Sequence, residues 1–213
     1  MQRLRIGDRV QPLVPRELVY EIPERMASDG RVRKEIDLDA VKRAAVQAKE
    51  AGVEGIAVAF LHSFRNPAHE LAARDAIVAA TGIQNVSISS DIWPKIGEYE
   101  RAIAAVLNTY VKPRMTAYIA EIERWLGERL PDAKLFIMQS NGGALAAAEA
   151  RAMPVHTLLS GPASGVSAAQ YLGVSLDERC MLTRIWAVPA PIYRSFRMAN
   201  RPSPEMRKSA TFR

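Results

Sequence analysis

Val53-Glu54-Gly55-Ile56-Ala57-Val58-Ala59-Phe60 is the stretch on which the reading of this 213-residue chain turns. It is almost continuously apolar, as a strand covered on both faces is, and it predicts a parallel sheet with helices on each side. Upstream, a helical pattern takes Asp37 or Asp39 as its cap and runs through Val41, Ala44, Ala45 and Ala48. It stops at Gly52, whose free φ suits the residue after a helix end. Downstream, Asn66-Pro67 opens a second helix, because Asn can cap and Pro in the first turn gives up no useful hydrogen bond. That helix ends near Thr81-Gly82, and Val86-Ser87-Ile88 follows as a short alternating strand.

Further out, residues 1 to 36 read as an irregular or β-rich lead-in broken by Pro12, Pro15 and Pro23. Leu18-Val19-Tyr20-Glu21-Ile22 is its best strand candidate, and Ser28-Asp29-Gly30 is a turn signal. With it the order is β-α-β-α-β, the grammar of an α/β domain. Glu98 to Leu130 carries the longest helical pattern, with Ile103, Val106, Leu107, Tyr110, Val111, Tyr118, Ile119, Ile122, Trp125 and Leu126 at three- and four-residue spacing. Pro113 lies inside it and predicts either one bent helix or two helices meeting there. Lys134-Leu135-Phe136-Ile137-Met138 reads as another buried strand, followed by a small Ala-rich helix, a strand at Val155-His156-Thr157-Leu158-Leu159 and a last helix ending near Leu172-Gly173. The domain is expected over 37–173. Residues 174–213 fit neither the 3.6 nor the 2.0 period and are expected to be an irregular, non-domain tail, disordered or read out of frame.

Composition excludes several classes. Hydrophobic residues make up 48% and charged residues 24%, with one cysteine, which excludes a disordered polymer and a disulfide scaffold. No apolar run approaches the roughly 18 to 20 residues of a membrane span. The start, Met1-Gln2-Arg3-Leu4-Arg5, lacks the apolar core of a signal peptide, so a cytoplasmic location is the default expectation. The net charge of +6 belongs mostly to the tail. From residue 174 onward eight basic residues face three acidic ones, so the body is nearly neutral and a nucleic-acid partner is not expected.

Two segments are candidates for chemistry, both expected at the carboxyl ends of strands, where ligands gather in open α/β sheets. Asn141-Gly142-Gly143 offers an unobstructed backbone and an amide side chain. Ser160-Gly161-Pro162-Ala163-Ser164-Gly165 would present amides at a helix N-terminus, ready for an anion. The plainer alternative is a tight turn at Gly142 and Gly143 and a simple cap at Ser160. Glu98-Tyr99-Glu100-Arg101 clusters carboxylates where a helix dipole favours them, with capping the simpler role and a cleft the other. His62, His69 and His156 have no metal-ligand spacing and read as strand-end or surface residues, and Cys180 has no partner base. No metal site and no catalytic residue is assigned.

Several blocks in order resemble one family, the ATP-dependent hydantoinase A and 5-oxoprolinase family that includes acetone and acetophenone carboxylase subunits. They are Val14-Pro15-Arg16 through Ile22-Pro23-Glu24-Arg25, Gly52-Val53 through Leu61-His62-Ser63-Phe64-Arg65-Asn66-Pro67-Ala68-His69-Glu70, Ser89-Ser90-Asp91-Ile92-Trp93-Pro94, and Glu98-Tyr99-Glu100-Arg101. Leu107-Asn108-Thr109-Tyr110-Val111, Ile137 to Gly143 and Leu158 to Val166 complete the set, which covers about residues 12 to 173.

The resemblance implies an α/β fold: a partial actin-like ATPase lobe of the sugar-kinase and heat-shock type, with a mostly parallel sheet and flanking helices. It implies ATP with a divalent metal such as Mg in the intact family, a cyclic amide or ketone as substrate, and a B-type subunit or domain as partner. Its cleft-facing candidates here are Asn141, Gly142, Gly143, Ser160, Gly161 and Gly165, with Glu98, Glu100 and Arg101 second. The sequence departs from the family where phosphate would be held. Neither Asp-x-Gly-Gly-Thr phosphate loop is present, and Ser164 replaces the family's glycine. An internal piece of a longer enzyme, inactive and without bound ATP on its own, is the expectation; a non-catalytic module docking on a B-type subunit is the alternative.

Overall fold

The computed structural model describes residues 12–178, 180–185 and 192–197, the last two ranges as backbone. The chain forms two compact units. Within the described residues the first runs to Pro131 and takes in Arg151–Val155, and the second holds Asp132–Ala150 and the residues from His156 onward.

In the first unit, β1 (Arg25–Met26) and β2 (Val32–Lys34) pair antiparallel around the Ser28-Asp29-Gly30 turn. The backbone N–H and the guanidinium of Arg31 donate to Asp29 and hold its carboxyl below the usual carboxylate range. Helix α1 (Leu38–Glu50) is capped as expected by Asp37, whose Oδ1 accepts from Ala40 N at 2.8 Å. Strand β3 (Ile56–Val58), α2 (Ala68–Thr81) and β4 (Val86–Ile88) form a βαβ unit in which β3 and β4 pair parallel, Ala57 opposite Ser87. Asn66 Oδ1 takes Ala68 N at 3.0 Å, and Gly82 ends α2 in the left-handed region. Val41 and Ala45 of α1, Ala73 and Ile77 of α2, and Val58, Val86 and Ile88 of the strands close the core between helices and sheet. A short helix, α3 (Ser89–Ile92), follows β4 directly.

Helix α4 (Glu98–Arg129) passes through Pro113 without a break. Proline lacks the N–H that would satisfy the carbonyl of Thr109 one turn earlier. Asn85, just before β4, supplies the missing donor: its Nδ2 donates to Thr109 O at 3.0 Å. The approach needs room at Gly55, where a Cβ would overlap Asn85 Nδ2 and lie 2.6 Å from Thr109 Cγ2. A side chain 24 residues away in sequence thus resolves the choice between one helix and two in favour of one.

The second unit contains β5 (Phe136–Met138) and β6 (Ala144–Ala146), an antiparallel hairpin. Helix α5 (Ala147–Ala152) follows, and α6 (Ser160–Ser175) and the antiparallel pair β7 (Cys180–Ile185) and β8 (Ile192–Arg197) belong to the second unit.

Several expectations are corrected. Leu18–Ile22 is not a strand: a single 3-10 turn covers Arg16–Leu18, and the chain beyond it finds no ladder partner among the described residues. Val155–Leu159 is not a strand either. A 3-10 turn spans Pro154–Thr157, and its backbone groups are taken one by one, Val155 N by Asn108 Oδ1 at 3.2 Å and His156 O by Ser140 N at 2.7 Å. β5 is largely exposed rather than buried, with Phe136 61% accessible. Among the described residues parallel pairing is confined to β3 and β4, and the three other strand pairs are antiparallel. The segment expected to be an irregular tail contains β7 and β8, whose Thr, Ile, Tyr and Phe residues suit strands.

Candidate functional site

The carboxyl end of β3 leads into the loop 59–67 and that of β4 into α3 and the loop 93–97 behind it, and in an α/β sheet that edge is where ligands collect. Four elements send polar side chains beneath these loops: Ser63 after β3, Glu70 in the first turn of α2, Ser89 and Ser90 after β4, and Arg101 in the first turn of α4. All five are buried, Arg101 to 1% exposure and Glu70 completely. Glu70 Oε1 accepts from Phe60 N at 2.8 Å and Ser89 Oγ at 2.6 Å, and Oε2 accepts from Ser90 N at 2.8 Å. Arg101 Nη1 donates to Ser89 Oγ at 2.9 Å and to Ser63 Oγ, and Nη2 donates to Phe60 O at 2.8 Å. The two charges approach to 4.0 Å, and the guanidinium lies over the Phe64 ring with Arg65 also against that ring.

This arrangement pins both loops from below. Apart from Ser90 Oγ and Arg101 Nε, which are buried without a hydrogen-bond partner among the described residues, its donors and acceptors are engaged inside the protein, so its chemical role is to position what the loops carry outward. That includes His62, which sits half-exposed in the left-handed region at φ 58°. A side chain there costs backbone strain that the surrounding contacts must hold. Ser63, Glu70, Ser89 and Arg101 all lie in blocks that resemble the family, but sequence reading singles out only Arg101 of the four as a candidate site residue. The available signal was Glu70 in a helix first turn, which reads as a surface cap until its partners are known. Glu98 and Glu100 are exposed, the Glu100 carboxylate lying back over Gly97 at the helix start.

His69 departs from the expected surface position. It is buried, with Nδ1 2.8 Å from Glu24 Oε2 and Nε2 3.6 Å from Glu35 Oε2, and so ties the N-terminal segment to α2. Among the described residues no group of three or more His, Cys, Asp or Glu side chains is arranged to hold a metal ion.

In the second unit, Asn141, Gly142 and Gly143 form the turn of the β5–β6 hairpin rather than a strand-to-helix loop. Two of its amides are already engaged: Gly142 N donates to Gln139 O at 3.1 Å and Gly143 N to Asn141 Oδ1 at 2.8 Å. Neither is left for a phosphate, so this turn does not fit an ATP phosphate cradle. Ser160, Gly161 and Gly165 lie within the first two turns of α6, after Leu159 at φ 62°. The structure brings the two segments together, since the Ser140 hydroxyl donates to the carbonyls of His156 and Leu158. Gly142, at φ 87°, faces α6 so closely that a Cβ would fall 2.5 Å from Ser167 Oγ. Gly142→Ala is therefore expected to cost about 1–2 kcal/mol through left-handed strain and that overlap, readable as a lower urea midpoint. An unchanged midpoint would show that the turn relaxes freely.

A βαβ core with its polar anchor at the carboxyl edge, joined to a long helix, defines a mixed α/β lobe, and the solved structures it resembles are consistent with a partial actin-like ATPase lobe. The family is shown by comparison. The hydantoinase/oxoprolinase N-terminal region matches residues 2–80 and the hydantoinase/oxoprolinase model matches residues 101–183, and the chain belongs to this family. It is 34% identical over 166 residues to caprolactamase subunit alpha of Pseudomonas jessenii, covering 76% of this chain and 24% of that one. It is 33% identical over 136 residues to 5-oxoprolinase of Saccharomyces cerevisiae, covering 64% and 10%. A solved nucleotide-free structure of acetone carboxylase, described as carrying out ATP-dependent acetone carboxylation, superposes with a TM-score of 0.78 at 26% identity over 87% of this chain and 26% of that chain. The chain thus spans about a quarter of the length of the first curated relatives it matches. No helix among the described residues is long and apolar enough to cross a membrane.

Proposed function

We propose that this chain is the scaffold portion of an ATP-dependent enzyme that opens a cyclic amide or carboxylates a ketone, and that it turns over no ATP by itself. One observation carries the reading: a chain that superposes over 87% of its length on a family member contains neither Asp-x-Gly-Gly-Thr phosphate loop. Its one Gly-Gly turn has two amides engaged internally. ATP and Mg belong to the intact enzyme in this reading. There the start of α6, where Pro162 has no N–H and Ala163 N donates to Leu159 O at 3.2 Å, leaves the Ser160 and Gly161 amides as the place in this chain where an anion would be met. Glu70 and Arg101 set the loops that border the reacting groups. Purified chain with Mg and ATP is expected to release no phosphate above the buffer rate. Metal-dependent release that survives repurification would refute the proposal.

A second reading, a non-catalytic module docking on a B-type subunit, draws support from α6. Tyr171, Leu172 and Leu176 stand exposed on or just after it, more apolar surface than a solvated helix carries. Relatives named as subunits, caprolactamase subunit alpha and acetone carboxylase beta subunit, make such a partner reasonable. Stoichiometric binding of the chain to a purified B-type subunit, lost in a Tyr171→Asp, Leu172→Asp variant, is expected under this reading and not required by the first.

A further inference from the structure

The buried residues of α4, Arg101, Ala105, Asn108, Thr109 and Ile119, occupy one side of the helix. At 3.6 residues per turn, Tyr110, Arg114, Ala117, Tyr118, Glu121 and Trp125 fall on the opposite side. All six are exposed. Tyr110 is 73%, Tyr118 57% and Trp125 49% accessible, while Arg114 and Glu121 form no ion pair among the described residues. Tyr110, Arg114, Ala117, Glu121 and Trp125 follow one another at four, three, four and four residues, with Tyr118 beside Ala117, the three- and four-residue repeat of one helix face.

We propose that this face pairs with the same face of a second copy, antiparallel, about a two-fold axis between Ala117 and Tyr118. The sequence is complementary to itself in that register. Tyr110 meets Trp125 of the second copy, Arg114 meets Glu121, and the Tyr118 ring lies over the small Ala117. A two-fold interface makes each of these pairs twice. Like charges would meet in a parallel arrangement, so the Arg114–Glu121 pair also selects the antiparallel one. The three aromatics expose about 350 Å² per copy. With the stems of Arg114 and Glu121 the total for two copies approaches about 1,000 Å², the low end for a specific interface. An area of that size suits a reversible rather than a permanent dimer.

Sedimentation velocity of the full chain, from low to high micromolar concentration, tests this. The expected result is a concentration-dependent dimer. Arg114→Glu alone and Glu121→Arg alone are each expected to raise the dissociation constant about tenfold or more, and the double exchange to recover most of the loss. These side chains are exposed, so circular dichroism should show the same helix content in every variant. A monomer throughout, association unaffected by either single exchange, or a double variant as weak as the singles would each overturn the proposal.

Discussion

Replacing Arg101 with methionine is expected to cost about 3–5 kcal/mol of folding free energy, because it leaves Glu70 as a buried charge without its partner. The substitution also removes the donors to Phe60 O, Ser63 and Ser89. Glu70→Gln should be milder, about 1–3 kcal/mol. The carboxylate accepts a backbone N–H on each oxygen, Phe60 N on one and Ser90 N on the other, so an amide must turn its NH2 against one of them. Removing both charges with Arg101→Met and Glu70→Gln should not restore stability, since one of those two backbone donors would still lack an acceptor. Urea unfolding followed by circular dichroism measures all three variants. If Arg101→Met unfolds within about 1 kcal/mol of the parent chain, the network is not what holds the two loops and their positioning role falls with it.

Gly55→Ala is expected to destabilise by about 3 kcal/mol, far more than a glycine-to-alanine change ordinarily does. The added methyl competes with Asn85 and Thr109 for the same space. Overpacking of this kind costs about 1–3 kcal/mol, and displacing Asn85 adds the penalty of a carbonyl left without a donor opposite Pro113. Asn85→Ala separates the two contributions: it removes the hydrogen bond while making room, and should cost about 1–2 kcal/mol. If Gly55→Ala is destabilising but the Gly55→Ala, Asn85→Ala pair is no worse than Asn85→Ala alone, the overlap is with Asn85. Equal stability of Gly55→Ala and the parent chain would mean that α4 and the strand edge have slack the close approach denies.

These two sites mark where reading the residues succeeded and where it ran out. The ends of α1, α2 and α4 and the position of β4 were legible because caps and turn glycines act on backbone groups within a few residues. Asp37 reaches Ala40, and Gly82 closes on Val78. The apolar run at β3 announced a strand buried between helices, and β3 pairs parallel with β4. The same local logic failed at Leu18–Ile22 and Val155–Leu159, where the side chains suit a strand but no neighbouring strand supplies a ladder.

The sequence by itself determined the α/β class, the family and most helix boundaries, since each rests on periodicity, local hydrogen bonding or an ordered set of motifs. Only the tertiary structure decided that α4 continues through Pro113, that Asn141-Gly142-Gly143 turns a hairpin, that His69 is buried against Glu24, and that Arg101 and Glu70 meet beneath the sheet edge. The physical reason is common to the buried cases. A buried polar group must find a partner, and the partner that satisfies it lies tens of residues away, where no local pattern points.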